Sequence, residues 1–449
     1  TRFRNVTGVQ TCALPILIDT SANYGDGLSE MLVGKVLKDY EGSDTVLVTK
    51  GGYIQGQNMQ LAMKQSFPEV VEYGEGIWHC IHPEFLETQL RRSAQRLRRN
   101  SLDVYLLHNP EYYLEDQSHK GAVEEKHRTE FYRRVRDAFA FLESKVAAGE
   151  LGWYGISSNN FGYPESQPTA TSIARCWQAA ESVSPKHHFR VVQMPMNIFE
   201  SGGALEMNNE GKTALQFCRE KGIGVLANRP LNAFQKNSMM RLADFLRPGE
   251  TAPGPEQVAA IVEPVRKMEA ELFEMFEVPQ FSGMEGGISE YMTNMLPMIK
   301  SMAHWEQVYY LRLIQPIERW AQECQQLYGE HKEWSEWWSR FVAMVPAVFE
   351  EAARYIAKSQ QQASDHVRGL LHTAGYPNDG ATLSQPTLSQ IALNTLLNLE
   401  GLSCALVGMR RREYVEDSFG ALALPQFDAL TTLGKFALLQ AAPSGGGVQ

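Results

Sequence analysis

The 449-residue chain lacks several features that would each mark a class of protein. No run of 18 or more apolar residues occurs, so no segment reads as a membrane-spanning helix. Arg2 and Arg4 are followed by Val6, Thr7, Gly8, Val9 and Gln10 with no apolar core region, which is not the pattern of a secretory signal. Positive charge is scarce: the net charge is −10, which argues against a surface that binds nucleic acid. The six cysteines, Cys12, Cys80, Cys176, Cys218, Cys324 and Cys404, include no CxxC pair and read as free thiols in a reducing cytoplasm. No GxGxxG follows a first strand, which removes the fingerprint of a dinucleotide-binding doubly wound sheet. His79-Cys80-Ile81-His82 has no second ligand pair nearby, so it reads as a loop and not a metal site. His187-His188 reads as a surface turn.

What is present is an alternation of short apolar strands and amphipathic helices from Leu17 onward. Strands are expected near Leu17–Asp19, Thr45–Thr49, Asp103–Leu107, Leu151–Ser157, Arg190–Met194, Ile223–Ala227 and Ser403–Val407. Helices are expected over Ser29–Asp39, Pro83–Asn100, Glu125–Ala148, Thr169–Glu181, Lys212–Lys221, Thr387–Leu399 and Glu413–Leu422. Such alternation means a parallel sheet covered by helices. The expected fold class is α/β, a (β/α)8 TIM barrel whose first β/α unit is missing, with an inserted all-helical subdomain. The chain starts at Thr1, and Val6–Ile16 (VTGVQTCALPI) reads as a translated sequencing adapter, the other reading being an irregular arm. The expected division is 1–16 non-native or irregular, 17–230 first part of the barrel, 231–385 helical insertion, 386–437 last β/α unit and C-terminal helix, and 438–449 a flexible tail. Within the insertion, Pro255–Phe276, Gly287–Met302, His304–Leu327 and Glu333–Gln362 carry helical periodicity. Their many Met and Trp residues read first as plain helical core, and second as a lid or partner surface. βα loops lie on the active-site face of a barrel, so the insertion is expected over or beside that mouth.

Four polar residues fall at, or just past, the C-terminal ends of three consecutive strands: Asp19, Tyr24, Lys50 and His108. In a parallel barrel those ends converge. The sequences DTSANYG…SE…G, VLVTK, SLDVYLLH and the whole stretch Pro83–His108 resemble the aldo-keto reductases, and the likeness covers 17–231 and 385–424. The resemblance implies that Asp19, Tyr24, Lys50 and His108 are the catalytic tetrad. An unaided tyrosine holds its proton up to about pH 10, and a neighbouring ammonium favours tyrosinate. Tyr24 would then be the general acid in reduction and the base in oxidation, with Lys50 polarising it, Asp19 holding Lys50, and His108 orienting the carbonyl oxygen.

The same resemblance implies a cofactor, NADP(H), with NAD(H) as the alternative. Ser157, Ser158 and Asn159 stand in the family's G-x-S-N segment with one extra Ser, so Ser158 and Asn159 compete for the Asn role. Gln193 matches the glutamine that contacts the same nicotinamide amide. Asn228, Arg229, Pro230 and Leu231 stand before the pyrophosphate loop, with Asn228 where an aromatic residue often stacks. Gly408, Met409, Arg410, Tyr414, Asp417 and Ser418 surround the start of the last barrel helix, where backbone N–H groups and three arginines suit a phosphate. Arg410 is the first candidate for a 2′-phosphate and Asp417 for a contact to adenine. The implied activity is hydride transfer between NADP(H) and an aldehyde, ketone or sugar. The alternatives are an NAD-dependent sugar or polyol dehydrogenase, and a non-catalytic NADP(H) sensor whose insertion binds a protein. No metal, nucleic acid or membrane is expected as a partner.

Overall fold

The computed structural model describes residues 17–38, 45–235, 238–246, 249–279, 286–377 and 385–441. The segment 1–16, including the adapter-like stretch and Cys12, and the tail 442–449 lie outside them.

Seven parallel strands form one sheet: β1 (Leu17–Asp19), β2 (Val46–Gly51), β3 (Leu102–His108), β4 (Leu151–Ser157), β5 (Phe189–Pro195), β6 (Gly224–Asn228) and β7 (Cys404–Ala405). Each strand pairs with the next one in the chain, and every pairing is parallel. A doubly wound sheet reverses its strand order at a switch point; this one never does. The progression is that of a singly wound β/α barrel, in which every strand end carries its loop to the same side. Among the described residues β1 and β7 have one neighbour each, and they are the two edges. The expected strand Ser403–Val407 shrinks to two residues, because an edge strand has a ladder on one side only.

Helices α1 (Leu28–Leu37), α2 (Pro83–Leu97), α3 (Tyr112–Lys120), α4 (Glu125–Ala147), α5 (Ile173–Val183) and α6 (Ala214–Lys221) fill the connections. Ser29, where the first helix was expected to begin, is not its cap. The helix starts one residue earlier, its cap position is Gly27 in the left-handed region at φ 91°, and the Ser29 hydroxyl bonds the Thr20 hydroxyl at 2.8 Å instead. The loop over 51–82, longer than a barrel turn needs, holds a short helix (Gln57–Lys64) and a three-stranded antiparallel ribbon.

Two residues of the opening motif serve packing. Glu30 is buried and has both oxygens engaged, one by the Thr49 hydroxyl at 2.5 Å and one by Arg96 Nε at 2.6 Å. A buried carboxylate is tolerable when it is paired and hydrogen-bonded in this way. Gly34 lies where α1 meets α2; a Cβ there would stand 2.4 Å from the Arg96 carbonyl oxygen and 2.8 Å from Leu97 Cα. His187 departs from the surface-turn expectation: it is buried, with its ring edge against Trp177 at 4.4 Å.

The second compact unit is Ala243–His372. Its core holds Trp305, Trp320, Trp334 and Trp337, all buried. Three of their indole N–H groups have acceptors: Trp320 the Pro279 carbonyl (2.9 Å), Trp334 Gln325 Oε1 (2.7 Å) and Trp337 the Met268 carbonyl (2.8 Å). A buried Trp needs such a partner, so these residues make a helical core. The expected helix His304–Leu327 forms, and widens to a π-turn at Tyr309–Ile314. Pro316 follows it, and a proline removes a helical donor and crowds the carbonyl four residues back. The final helix of this unit, α7 (Lys332–Ala374), runs well past the expected end.

Enlarging Gly34 tests the α1–α2 contact. Gly34→Val pushes against backbone, not against a flexible side chain, and is expected to cost about 1–3 kcal/mol, the usual penalty of overpacking. A denaturant melt of the variant against the parent checks it.

Candidate active site

The C-terminal ends of β1, β2 and β3 bring Asp19, Lys50 and His108 together, and the turn after β1 returns Tyr24 to them. That turn is closed by Tyr24 N–H to the Ser21 carbonyl at 3.1 Å and by Ala22 N–H to the Lys50 carbonyl at 3.3 Å. Lys50 is completely buried. Its ammonium carries three protons and has three acceptors: Asp19 Oδ2 at 2.7 Å, the Thr20 carbonyl at 3.0 Å and the Tyr24 hydroxyl at 3.4 Å. Tyr24 is 40% exposed, so its ring meets solvent while its hydroxyl rests on a buried cation. His108 is buried, with its ring edge-on to Tyr24 at 6.0 Å and to Tyr53 at 4.8 Å. Burial first, then the Lys50 ammonium and His79, hold the His108 imidazole well below its usual pKa, so it is neutral.

Residues expected on the nicotinamide side join this cluster. Gln193 Nε2 donates to Asp19 Oδ1 at 2.8 Å, and Gln193 Oε1 accepts from the Ser157 hydroxyl at 3.1 Å and from Asn228 Nδ2 at 3.4 Å. Strands β1, β4, β5 and β6 are thus wired to one another at their C-terminal ends. Ser158 turns away: its hydroxyl bonds Thr171 and accepts from the Asn160 N–H. Asn159 stands half-buried, with its backbone N–H given to Glu111. Arg229 adopts φ 53°, pairs with Glu200 at 2.8 Å, and is followed by buried Pro230 and half-buried Leu231.

At the end of β7, Gly408, Met409 and Arg410 are exposed and lead into α9 (Arg412–Gly420), α8 being Leu388–Leu397. Among the described residues no side chain caps α9, and Arg410 and Arg411 have no carboxylate partner; Arg412 pairs with Glu416. Tyr414 is exposed beside Arg411, and the Ser418 hydroxyl is given to the Tyr414 carbonyl. Asp417 accepts from the Thr387 hydroxyl at 2.7 Å on one oxygen and from Ser389 on the other, so it also secures the start of α8.

Three neighbours were not assigned site roles from sequence. Ser21 bonds His108 Nδ1 at 3.0 Å. His79 is buried, its Nε2 is 2.7 Å from the His108 carbonyl oxygen, and burial pushes its pKa down to about 4. The HCIH stretch therefore buttresses the histidine loop, and among the described residues no cluster of His, Cys, Asp or Glu is arranged to hold a metal ion. Glu111 is buried, and that burial pushes its carboxyl up to about 8. No described helix is long and apolar enough to cross a membrane.

A parallel sheet of β/α units thus carries, at its strand ends, a buried ammonium held against a half-exposed tyrosine. The model of the aldo/keto reductase family matches residues 9–246, and the chain belongs to that family. The match begins within the stretch that reads as an adapter. An uncharacterized oxidoreductase of Schizosaccharomyces pombe is 24% identical over 217 residues, 48% of this chain and 50% of that protein. The aldo-keto reductase YhdN of Bacillus subtilis is 30% identical over 95 residues, 21% of this chain and 24% of that protein. The chain therefore spans no more than half the length of these curated relatives. Among solved structures, the glycerol dehydrogenase of Gluconobacter oxydans aligns over 96% of this chain and 84% of its own, at 14% identity and a TM-score of 0.44. The Bacillus halodurans aldo-keto reductase in its holo form aligns over 94% and 82%, at 15% identity and a TM-score of 0.43.

Glu111 gives a pH prediction. Its folded pKa is raised from about 4.5 to about 8. Its contribution to stability is therefore fully present below about pH 4.5 and is lost as pH rises through 8. Glu111→Gln keeps an acceptor for Asn159 without the charge. Its melting temperature is expected to match the parent near pH 4.5 and to exceed it increasingly up to pH 8. A pH-independent difference in thermal melts would contradict this.

Proposed function

We propose that this chain is an oxidoreductase that transfers hydride between NADP(H) and the carbonyl or alcohol carbon of an aldehyde, ketone or sugar, with Tyr24 as the general acid and base. One observation carries the reading: the Lys50 ammonium spends its three protons on Asp19, Thr20 and the Tyr24 hydroxyl. A cation donating to a phenol oxygen favours the tyrosinate that remains once the proton has left. Tyr24 can then give its proton to a carbonyl oxygen and recover one from an alcohol. Asp19, held from its other side by Gln193, fixes the ammonium in place.

The residues fit a nicotinamide cofactor. Gln193, Ser157 and Asn228 form a chain of amide and hydroxyl groups beside Asp19, and the buried Asn228 Oδ1 has no partner among the described residues. A primary carboxamide, with two donors and one acceptor, complements such a set. Gln193, Ser157, Asn228 and Asn159 would hold that group, and Gly408, Met409 and Arg410 would hold its phosphates at the open start of α9. When bound, the nicotinamide supplies the hydride. Arg410 and Arg411 favour NADP(H) over NAD(H), because a guanidinium suits a 2′-phosphate.

Tyr24→Phe is expected to lower turnover by about 10²–10⁴, the range of general acid–base catalysis, while leaving NADPH binding nearly unchanged. Carbonyl-dependent NADPH oxidation at the parent rate in this variant would remove Tyr24 from the mechanism. Arg410→Ala is expected to weaken NADPH binding and to leave NADH binding unaltered, as read by a fluorescence titration with each. Equal losses for both cofactors would remove the 2′-phosphate assignment.

A further inference from the structure

A cavity of about 460 Å³ opens beside the turn that follows Tyr24. Small-molecule sites span about 300–1,000 Å³. Its walls come from that turn, from α1, from α2 and from the start of the short helix Gln57–Lys64; Asp19, Tyr24, Lys50 and His108 do not line it. Three charged side chains do, and two of them are already matched. Asp26 accepts from the Gln57 N–H with both oxygens, at 3.1 and 3.3 Å, and so lies at the positive end of that helix. Arg96 gives its Nε to the buried Glu30. Arg92 differs. It is half-buried and has no carboxylate partner among the described residues; its contact is to an amide oxygen, Asn58 Oδ1 at 3.3 Å, which Gln89 already bonds at 3.0 Å. A guanidinium owns five N–H groups, so most of its donors remain unspent beside the cavity. The side-chain amides of Gln57 and Gln95 line the same space and also have no partner among the described residues. The wall from α1 is apolar, with Leu28 66% and Met31 52% exposed.

We infer that this cavity is a second, non-catalytic binding site for a small organic carboxylate, whose head is taken by Arg92 and whose apolar body covers Leu28 and Met31. Charge and shape select the head group. One uncompensated guanidinium balances one negative charge, and its planar fork matches the two oxygens of a carboxylate. A phosphate monoester carries about −1.5 to −2 at pH 7 and would set the excess against Asp26 in the same wall. The Gln57 and Gln95 amides donate to the lone pairs that Arg92 leaves. The occupant also touches Gly25 and Asp26, which take φ 58° and 54° directly after Tyr24. The site therefore borders the catalytic turn without sharing its side chains, and it does not rest on the reductase reading.

The test is a titration of the full chain, carrying ¹³C-methyl methionine, with hexanoate; the Met31 signal is assigned by its loss in Met31→Leu. The expected result is a saturable shift of Met31. Hexanamide keeps the apolar chain and loses the charge, and is expected to bind at least about tenfold more weakly, the scale of one charge-assisted hydrogen bond. Hexyl phosphate is expected to bind no more tightly than hexanoate. Arg92→Gln is expected to weaken hexanoate by at least the same factor. Leu28→Glu, at an exposed position, sets a second carboxylate beside the ligand and is expected to abolish the shift. Arg91→Gln, exposed and outside the cavity, is expected to leave binding unchanged. Circular dichroism melts confirm that each variant is folded, and Leu28→Glu decides the matter should Arg92→Gln fail to fold. No saturable shift of Met31, as when hexanoate settles at the catalytic cluster instead, overturns the inference. So does parent-strength binding in a folded Arg92→Gln or Leu28→Glu, or equal binding of hexanamide. Tighter binding of hexyl phosphate overturns the carboxylate assignment.

Discussion

The burial of Lys50 organises the site. An ammonium taken out of water is costly unless every proton is given to an acceptor. Here the three acceptors come from Asp19 at the end of β1, the Thr20 carbonyl just after it, and the Tyr24 hydroxyl in the following turn. That requirement fixes the path of the chain from Asp19 to Tyr24 and the register of β1 on β2, where Asp19 lies opposite Val48, two residues before Lys50. The same ammonium donates to the Tyr24 hydroxyl and disfavours the charged form of His108.

The scaffold reaches this result by carrying each polar group on its own strand end. Because the sheet is parallel and its order follows the chain, Asp19, Lys50, His108, Ser157, Gln193 and Asn228 share one side of it. Gln193 closes the arrangement, bridging from β5 to Asp19 on β1 while collecting Ser157 and Asn228. Loops deliver the remaining groups and are themselves tied. Asn109 holds φ 52° immediately after His108 and gives its N–H to the Ser157 carbonyl at 2.7 Å, and Glu111 takes the N–H of Asn159. The loop after β3 and the loop after β4 are therefore coupled by two hydrogen bonds.

Much of this was legible in the sequence. Alternation of apolar strands with helices gave the parallel sheet, and four polar residues at or just past consecutive strand ends gave their convergence, because both depend on local periodicity and on parallel topology. What was hidden depends on long-range partners. His79 reads locally as a loop residue or half of a metal pair, and its contact to His108 is visible only once the ribbon over 53–79 folds back. Asp417 sits at a position that suggests a nucleotide contact, and the hydroxyls of Thr387 and Ser389 that also bond it lie far back in the chain. The helix expected over His304–Leu327 forms, but widens to a π-helical segment at Tyr309–Ile314 just before Pro316, a local change its periodicity did not signal. The burial of Glu111 and its hold on the Asn159 N–H likewise depend on a partner 48 residues away in the chain.

The central claim is that the Lys50 ammonium makes Tyr24 a proton donor. Replacing Lys50 by Met keeps the length of the side chain and removes the charge. The most direct test is a single-turnover measurement of carbonyl-dependent NADPH oxidation in Lys50→Met, with NADPH binding by the same variant confirming that it is folded. The account predicts that the variant binds NADPH and loses at least about a hundredfold in rate. A folded, NADPH-binding Lys50→Met that oxidises NADPH at the parent rate would contradict it.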